Sequence, residues 1–350
     1  MVLATIVGGD NRYPTYALTS RRLRMEGDRG IMSGNRASSR RVVKNLRVLP
    51  RVTDSWSYLY VERARIDQED FGICLHDERG RVHVPCASLS LLMLGPGTTV
   101  THAAITTMAD AGCLVAWCGE QGIRFYAQGL GETRSANNLL RQVRLWASPE
   151  HRLQIVYNMY AMRFQESLPE GLSLRQIRGM EGARVRAAYS KASEAYGVPW
   201  SGRGYNRRDW NQSDPINKAL SAANACLYGV CHAAIVALGY SPALGFIHTG
   251  KMLSFVYDVG DLYKIDLTVP LAFEETAKGS HQLESRVRHR CRDVFAETRL
   301  LELIVDDLGM LFGSVDMPGE EPVDSDMALP GDLWDPEGDV SGGQNFRSGQ

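Results

Sequence analysis

Two periodicities divide the chain. From Ser57 to about residue 130, apolar positions come in short β-prone runs, SYLYVERARI, FGICLHD, VHVP, SLLML, TTV, CLVAWC and IRFYAQ, separated by turn residues. Glu78-Arg79-Gly80-Arg81 lies between two of these runs and predicts a hairpin. A short helix is expected from 101 to about 111, closed by Gly112 as its C′ residue, and GEQG marks a further turn. Around 129–136 glycines and polar residues interrupt the alternation, and everything afterwards reads as helix. Ser148-Pro149 and Asp214-Pro215 each place an N-cap before a proline at the first helical position, while Gly197 and Gly239 stand where helical patterns end. The expected fold class is α+β in two domains. A basic, disordered extension spans 1–50, a small β-rich domain 51–130, a linker 131–136, an all-helical domain 137–314 and an acidic, disordered tail 315–350.

Composition narrows this little: 350 residues with 44% hydrophobic and 23% charged side chains describe a soluble globular protein. The formal net charge of -1 gives no hint of a nucleic-acid partner. Its distribution changes the picture. Residues 1–50 hold ten basic and three acidic side chains, residues 315–350 one basic and nine acidic, so the ends cancel around a balanced middle. The seven cysteines include no CxxC pair, which fits a reducing cytoplasm, and Cys226, Cys231 and His232 read as buried packing. The opening MVLATIVGGD lacks a basic leader, so export is not expected. Residues 219–240 run 22 positions without a formal charge, about a bilayer's span. Alanine dominates there and Ser221, Asn224 and His232 interrupt it, which favours a helix buried among other helices.

Three groups of residues carry candidate chemistry. On the helix expected over Leu174–Tyr196, Ile177, Val185, Ala188 and Ala192 form an apolar stripe, and position 181, on that stripe, is a glutamate. An inward carboxylate must be paired, protonated or metal-bound, and a salt bridge to Arg178 or Arg184 accounts for it as well as a ligand role does. Gly179 and Gly182 flank it at a cost of about 1 kcal/mol each relative to alanine, which suggests that something must come close. The second group is His248 in a glycine-punctuated loop, with Asp258 and Asp261 at i, i+3 on the following helix and Lys251 nearby. Imidazole with two or three carboxylates suits Mg²⁺ or Mn²⁺ and phosphoryl transfer, although a helix cap and solvated charges explain the same residues. The third is basic and aromatic. Residues 171–210 carry eight basic against three acidic side chains, interleaved with Trp200, Tyr205 and Trp210, a pattern able to hold phosphates and stack on unpaired bases. Arg286, Arg288, Arg290 and Arg292 alternate further on, too closely spaced to share one helix face.

The runs RGMEGARVR (178–186), YGVPWSGRGYNRRDW (196–210), CLYGV (226–230) and GYSPALGFIHTGKMLSFVYDVGDLYK (239–264), with PGTTVTHAAI, WCGEQGIRFYA and CRDVF, resemble the CRISPR-associated spacer integrase, the universal adaptation family, most closely its I-E subtype. The resemblance covers about residues 50–312, and a glutamate followed, after 66 intervening residues, by His-x9-Asp-x2-Asp recurs inside the longer matching runs. It implies a β-rich N-terminal domain, an all-helical catalytic domain and a homodimer, two of which flank a central dimer of a small ferredoxin-like adaptation partner in a hetero-hexamer. It also implies insertion of short DNA fragments into a CRISPR array in antiviral adaptive immunity: a 3′-OH attacks a phosphodiester at the leader-repeat junction. By the same resemblance Glu181, His248 and Asp261 are catalytic and hold Mg²⁺ or Mn²⁺, with Asp258 in the same metal site. Arg124, Arg178, Arg186, Arg203, Tyr205, Tyr228, Lys251, Arg286 and Arg288 match DNA contacts, to duplex with single-stranded 3′ ends.

The chain departs from the subtype where a tyrosine wedge braces the duplex end: Arg63 aligns there, with Tyr58 and Tyr60 nearby. Residues 1 to about 45 have no counterpart, and Met25 or Met32 are candidate starts. Two other readings stay open, a structure-selective nuclease for branched DNA and a non-catalytic DNA-binding scaffold.

Overall fold

The computed structural model describes residues 58–315 except 71, 87–88, 123, 130–135, 165–167, 170 and 204–213, together with residue 336. Residues Met1–Arg51 and Val52–Gln350 form separate units, and the former lies wholly outside the described residues. The expected extension, most of the linker, the acidic tail, and Tyr205, Arg207, Arg208 and Trp210 therefore fall outside as well.

The first region is strand-rich: β1 (Tyr58–Val61), β2 (Arg65–Glu69), β3 (Gly72–Asp77), β4 (Gly80–Pro85), β5 (Leu91–Leu94), β6 (Thr99–Val100), β7 (Leu114–Cys118) and β8 (Phe125–Gly129), with α1 (His102–Asp110) before β7. One sheet runs β1-β5-β7-β8, its first three strands parallel and β8 antiparallel. The other runs β4-β3-β2-β6 and contains the expected hairpin, Asp77 pairing with Gly80 across Glu78-Arg79. SYLYVERARI reads as one β-prone run but forms two strands in different sheets. Arg63 adopts φ 51° and its amide bonds the Pro96 carbonyl at 3.0 Å, turning the chain from β1 toward β2. Thr101 caps α1, and Gly112 at φ 68° ends it.

The remainder is helical: α2 (Asn137–Ala147), α3 (Pro149–Arg163), α4 (Leu174–Tyr196), α5 (Pro215–Ala237), α6 (Ser254–Tyr263), a π-helical turn (Lys264–Thr268), α7 (Val269–Ala277), α8 (Leu283–Glu297) and α9 (Leu300–Gly313). Ser148 and Asp214 accept from the amides of His151 and Asn217 at the starts of α3 and α5, Ser173 and Gln176 close a capping box on α4, and Gly197 ends α4 at φ 64°. Helix α5 lies at the centre, with α6, α7, α8 and α9 packed around it. Among the described residues it is the one helix long and apolar enough to cross a membrane, and 67% of that window is buried, as a core helix requires.

The strand-rich and helical parts share apolar packing. Parallel strands need cover on both faces, which is why SLLML and CLVAWC are nearly continuous apolar runs. Leu92, Leu94 and Val115 pack with α1 and the second sheet, while Leu91, Leu114 and Ala116, one register position away, join the helical core. The approach is closest at Gly229 of α5, where a Cβ would sit 3.0 Å from the Arg124 amide nitrogen. Gly229→Ala is therefore expected to lower stability by about 1–3 kcal/mol by overpacking this seam. Gly309→Ala in α9, where a Cβ meets nothing within 4 Å, is expected to gain up to about 1 kcal/mol. Thermal or denaturant unfolding of both variants checks the pair.

Candidate functional site

The loop entering α6 is gripped from two sides. Asp258, fully buried on α6, accepts the amides of Phe246 (2.6 Å), Ile247 (3.0 Å) and His248 (2.8 Å) and the Nδ1 of His248 (2.7 Å). From the other side the Gln142 amide donates to the Ser241 and Leu244 carbonyls at 3.1 Å each and accepts from the Ser241 amide at 2.7 Å. The Trp146 indole donates to the Gly245 carbonyl at 3.0 Å, and Arg152 to that of Phe246 at 3.1 Å. Gly245 allows this fold-back, since a Cβ there would lie 2.4 Å from the His248 carbonyl oxygen. With Nδ1 engaged by Asp258, Nε2 is the nitrogen turned outward, 4.0 Å from Asp261 Oδ2. The hydrogen bond to Asp258 raises the His248 pKa above 6.5; partial burial opposes it, and the charges of Asp258 and Asp261 add to it.

The geometry gives the two aspartates different surroundings. Asp258 and Asp261 share a helix face as their spacing demands, but each Asp258 oxygen already accepts two donors, so Asp258 orients the histidine from behind instead of facing the site. Asp261 is partly open, and Lys264, brought round by the π-helical turn, ion-pairs with it. Burial works against the Lys264 ammonium, but Asp261 and Tyr228 outweigh it and raise its pKa.

Glu181 comes from α4. Arg184 takes both of its oxygens, at 2.8 and 3.1 Å, so the inward glutamate is paired across one turn. Its Oε1 also lies 3.6 Å from Nη1 of Arg163, the last residue of α3, and that same nitrogen is 3.8 Å from Asp261 Oδ2. Glu181, Asp261 and the outward nitrogen of His248 thus converge from three segments. Among the described residues no three His, Cys, Asp or Glu side chains stand close enough to enclose an ion, and arginines and a lysine balance the carboxylates instead. The donor types, two carboxylates and an imidazole Nε2, fit a hard divalent ion of the Mg²⁺ or Mn²⁺ kind.

The residues matched to DNA contacts fall into distinct settings. Arg178 and Arg186 are exposed on α4, and Lys251 and Arg203 are exposed on loops. Among the described residues nothing comes within 4 Å of a Cβ placed at Gly179, and Arg186 alone nears one placed at Gly182. Arg124, at φ 82° just before β8, and Arg288 of α8 line one small cavity of about 110 Å³ beside Ser221 and Cys226. Tyr228 is half-buried, its ring against Gly260, edge-on to Tyr257 and 5.5 Å from the Lys264 ammonium. The Arg286 guanidinium donates to the Glu275 carboxylate and to the carbonyls of Glu275, Gly279 and His281, closing the end of α7. Arg63 is exposed, while Tyr60 bonds Glu62 at 2.6 Å and Tyr58 packs against the helical core.

Arg163, Lys264 and the Gln142-Trp146-Arg152 set were missed. Arg163 carried a signal: Ile155, Val156, Met159, Tyr160 and Arg163 form one buried stripe on α3, the same anomaly that exposed Glu181. Lys264 carried one too, three residues after Asp261 on the same helical run, whereas Gln142, Trp146 and Arg152 act on backbone carbonyls, for which side-chain spacing gives no cue.

Comparison with known proteins identifies the family. Residues 159–285, which include Glu181, His248 and Asp261, match the family model for CRISPR associated protein Cas1. The CRISPR-associated endonuclease Cas1 2 of Thermus thermophilus is 54% identical over 86% of this chain and 93% of its own length. The CRISPR-associated endonuclease Cas1 of Geobacter sulfurreducens is 43% identical over 80% of this chain and 92% of its own. The crystal structure of a TtCas1-DNA complex superposes with a TM-score of 0.72 at 54% identity, covering 76% of this chain and 100% of that one. At 54% identity to one curated relative, over 86% of this chain and 93% of that relative's length, this chain belongs to the Cas1 family of CRISPR-associated endonucleases.

Proposed function

We propose that the protein is a metal-dependent DNA integrase that joins the 3′-OH of a short DNA fragment to a CRISPR array. The observation that carries the reading is the convergence of Glu181, Asp261 and His248 Nε2 from three segments beside the exposed cations Arg178 and Lys251. Glu181, Asp261 and His248 would hold Mg²⁺ or Mn²⁺, which would stabilise negative charge on the phosphate and on the leaving oxygen. Asp258 holds the imidazole so that Nε2 faces the site, and the grip on residues 241–248 keeps it there. Arg178, Arg186, Arg203 and Lys251 bind backbone phosphates, with Arg124 and Arg288 acting on a second stretch of duplex. The 3′-oxygen forms its bond to phosphorus as the bond to the array's 3′-oxygen breaks, so one phosphodiester replaces another and no covalent enzyme intermediate is needed. I-E-like character, a homodimer, a small ferredoxin-like partner in a hetero-hexamer and a cytoplasmic location belong to the same reading.

A hydrolytic reading draws on the endonuclease names of the relatives. Water would then take the place of the 3′-OH at the same phosphorus. Joining of a free 3′ end, compared with cleavage of a branched fork, separates the two.

In a reconstituted strand-transfer assay with Mg²⁺ or Mn²⁺, Glu181→Ala and His248→Ala are each expected to abolish joining; intact joining by either would overturn the reading. Asp258→Asn is expected to lower activity about 10- to 100-fold by releasing the imidazole. The raised His248 pKa gives the pH dependence its sign: the proton competes with the ion for Nε2, so apparent metal affinity falls as pH drops through that pKa, by up to about tenfold per unit. In Asp258→Asn this acid limb is expected to move to lower pH, read from the Mn²⁺ concentration at half-maximal joining. DNA binding is expected to weaken steeply between low and moderate salt despite a sequence pI near 6.7, and Arg178→Ala to reduce the slope of log K on log salt by about one. A titration by fluorescence anisotropy at several salt concentrations measures both.

A further inference from the structure

Arg163 carries its guanidinium into the interior, with a side chain only 4% exposed. Nη1 lies 3.6 Å from Glu181 Oε1 and 3.8 Å from Asp261 Oδ2, and Nη2 lies 3.5 Å from the backbone carbonyl of Asp258. The Tyr160 ring is 5.0 Å from the guanidinium carbon, and Nε, fully buried, has no hydrogen-bond acceptor among the described residues. A buried guanidinium ordinarily clasps a carboxylate at roughly 2.7–2.9 Å, as Arg184 does with Glu181 at 2.8 Å. Arg163 stands roughly an ångström further from each of its two carboxylates, where Coulomb attraction persists and no hydrogen bond forms. One nitrogen sits between acids carried by different helices, α4 and α6. It therefore opposes the repulsion between them without occupying the lone pairs of either.

We propose that Arg163 is a positioning residue, an internal counter-cation that keeps Glu181 and Asp261 turned toward one point in the metal-free protein and that yields part of this role to the divalent ion. The proposal rests on the metal reading given above. Without the ion, loss of Arg163 leaves each of the two partly buried carboxylates with its own-helix partner, Arg184 or Lys264, and removes the one cation that stands between them. With the ion bound, Arg163 is a like charge beside it and weakens its binding. A packing role for the side chain predicts neither effect, because apolar contacts do not distinguish the two charge states.

The test uses the full chain and its Arg163→Met and Arg163→Lys variants, with thermal unfolding in EDTA and in saturating Mn²⁺ and a direct Mn²⁺ titration followed by electron paramagnetic resonance. Arg163→Met is expected to melt several degrees below the parent in EDTA and to close most of that gap in Mn²⁺. It is expected to bind Mn²⁺ about fivefold or more tighter, within the usual range of coupled sites. Arg163→Lys restores the charge and is expected to recover most of the melting temperature in EDTA. A Mn²⁺ affinity within twofold of the parent, or an equal melting gap with and without Mn²⁺, would overturn the proposal. If the parent itself binds no Mn²⁺, the metal reading fails, and Arg163 is judged separately by a cycle with Glu181→Gln in EDTA. A smaller loss of melting temperature from Arg163→Met in the Glu181→Gln background supports the counter-cation, and additive losses sink it.

Discussion

The carboxylate of Asp258 is the constraint on which the site depends. A fully buried anion is tolerated only when its lone pairs are filled, and here three consecutive backbone amides and an imidazole fill them. The same four hydrogen bonds tie the 246–248 backbone to α6 and select which nitrogen of His248 faces outward. Because Asp261 lies one turn along the same rigid helix, the distance between His248 Nε2 and Asp261 is set by helix geometry once Asp258 is in place. The clamp by Gln142, Trp146 and Arg152 closes the other edge, so neither side of the loop is free to drift.

Charge around the site is balanced locally. Glu181 is held by Arg184 on its own helix, Asp261 by Lys264 from the π-helical turn, and both are faced by Arg163 from α3. Three cations therefore stand against two carboxylates. The overall charge of -1 conceals this arrangement, because the ends of the chain cancel each other and the cations that matter stand a few ångströms from acids they serve.

Much of the architecture was legible. Proline-marked helix starts at Pro149 and Pro215, the hairpin at Gly80 and the helix ends at Gly112 and Gly197 all rest on local backbone sterics, which a few neighbouring residues decide. SYLYVERARI misled because β propensity is shared by both of its strands, while the turn at Arg63 is stabilised by Pro96, more than thirty residues away. Glu181 stood out as a carboxylate on an apolar stripe. Arg163 made the same exception on α3 and was passed over.

By itself the sequence determined the elements, their order and the residue types able to meet a metal and a phosphate, since those follow from periodicity, capping and side-chain chemistry within one segment. Only the tertiary structure decided roles. Asp258 and Asp261 are equivalent by spacing, yet one is sealed behind His248 and the other opens to the site; Arg286 and Arg288 are neighbours in sequence, yet one closes the end of α7 and the other lines a cavity with Arg124. The physical reason is common to these cases. Whether a charged group is a ligand, a partner or a cap depends on which donors and acceptors reach it from other helices, and that accounting is settled only when the chain is folded.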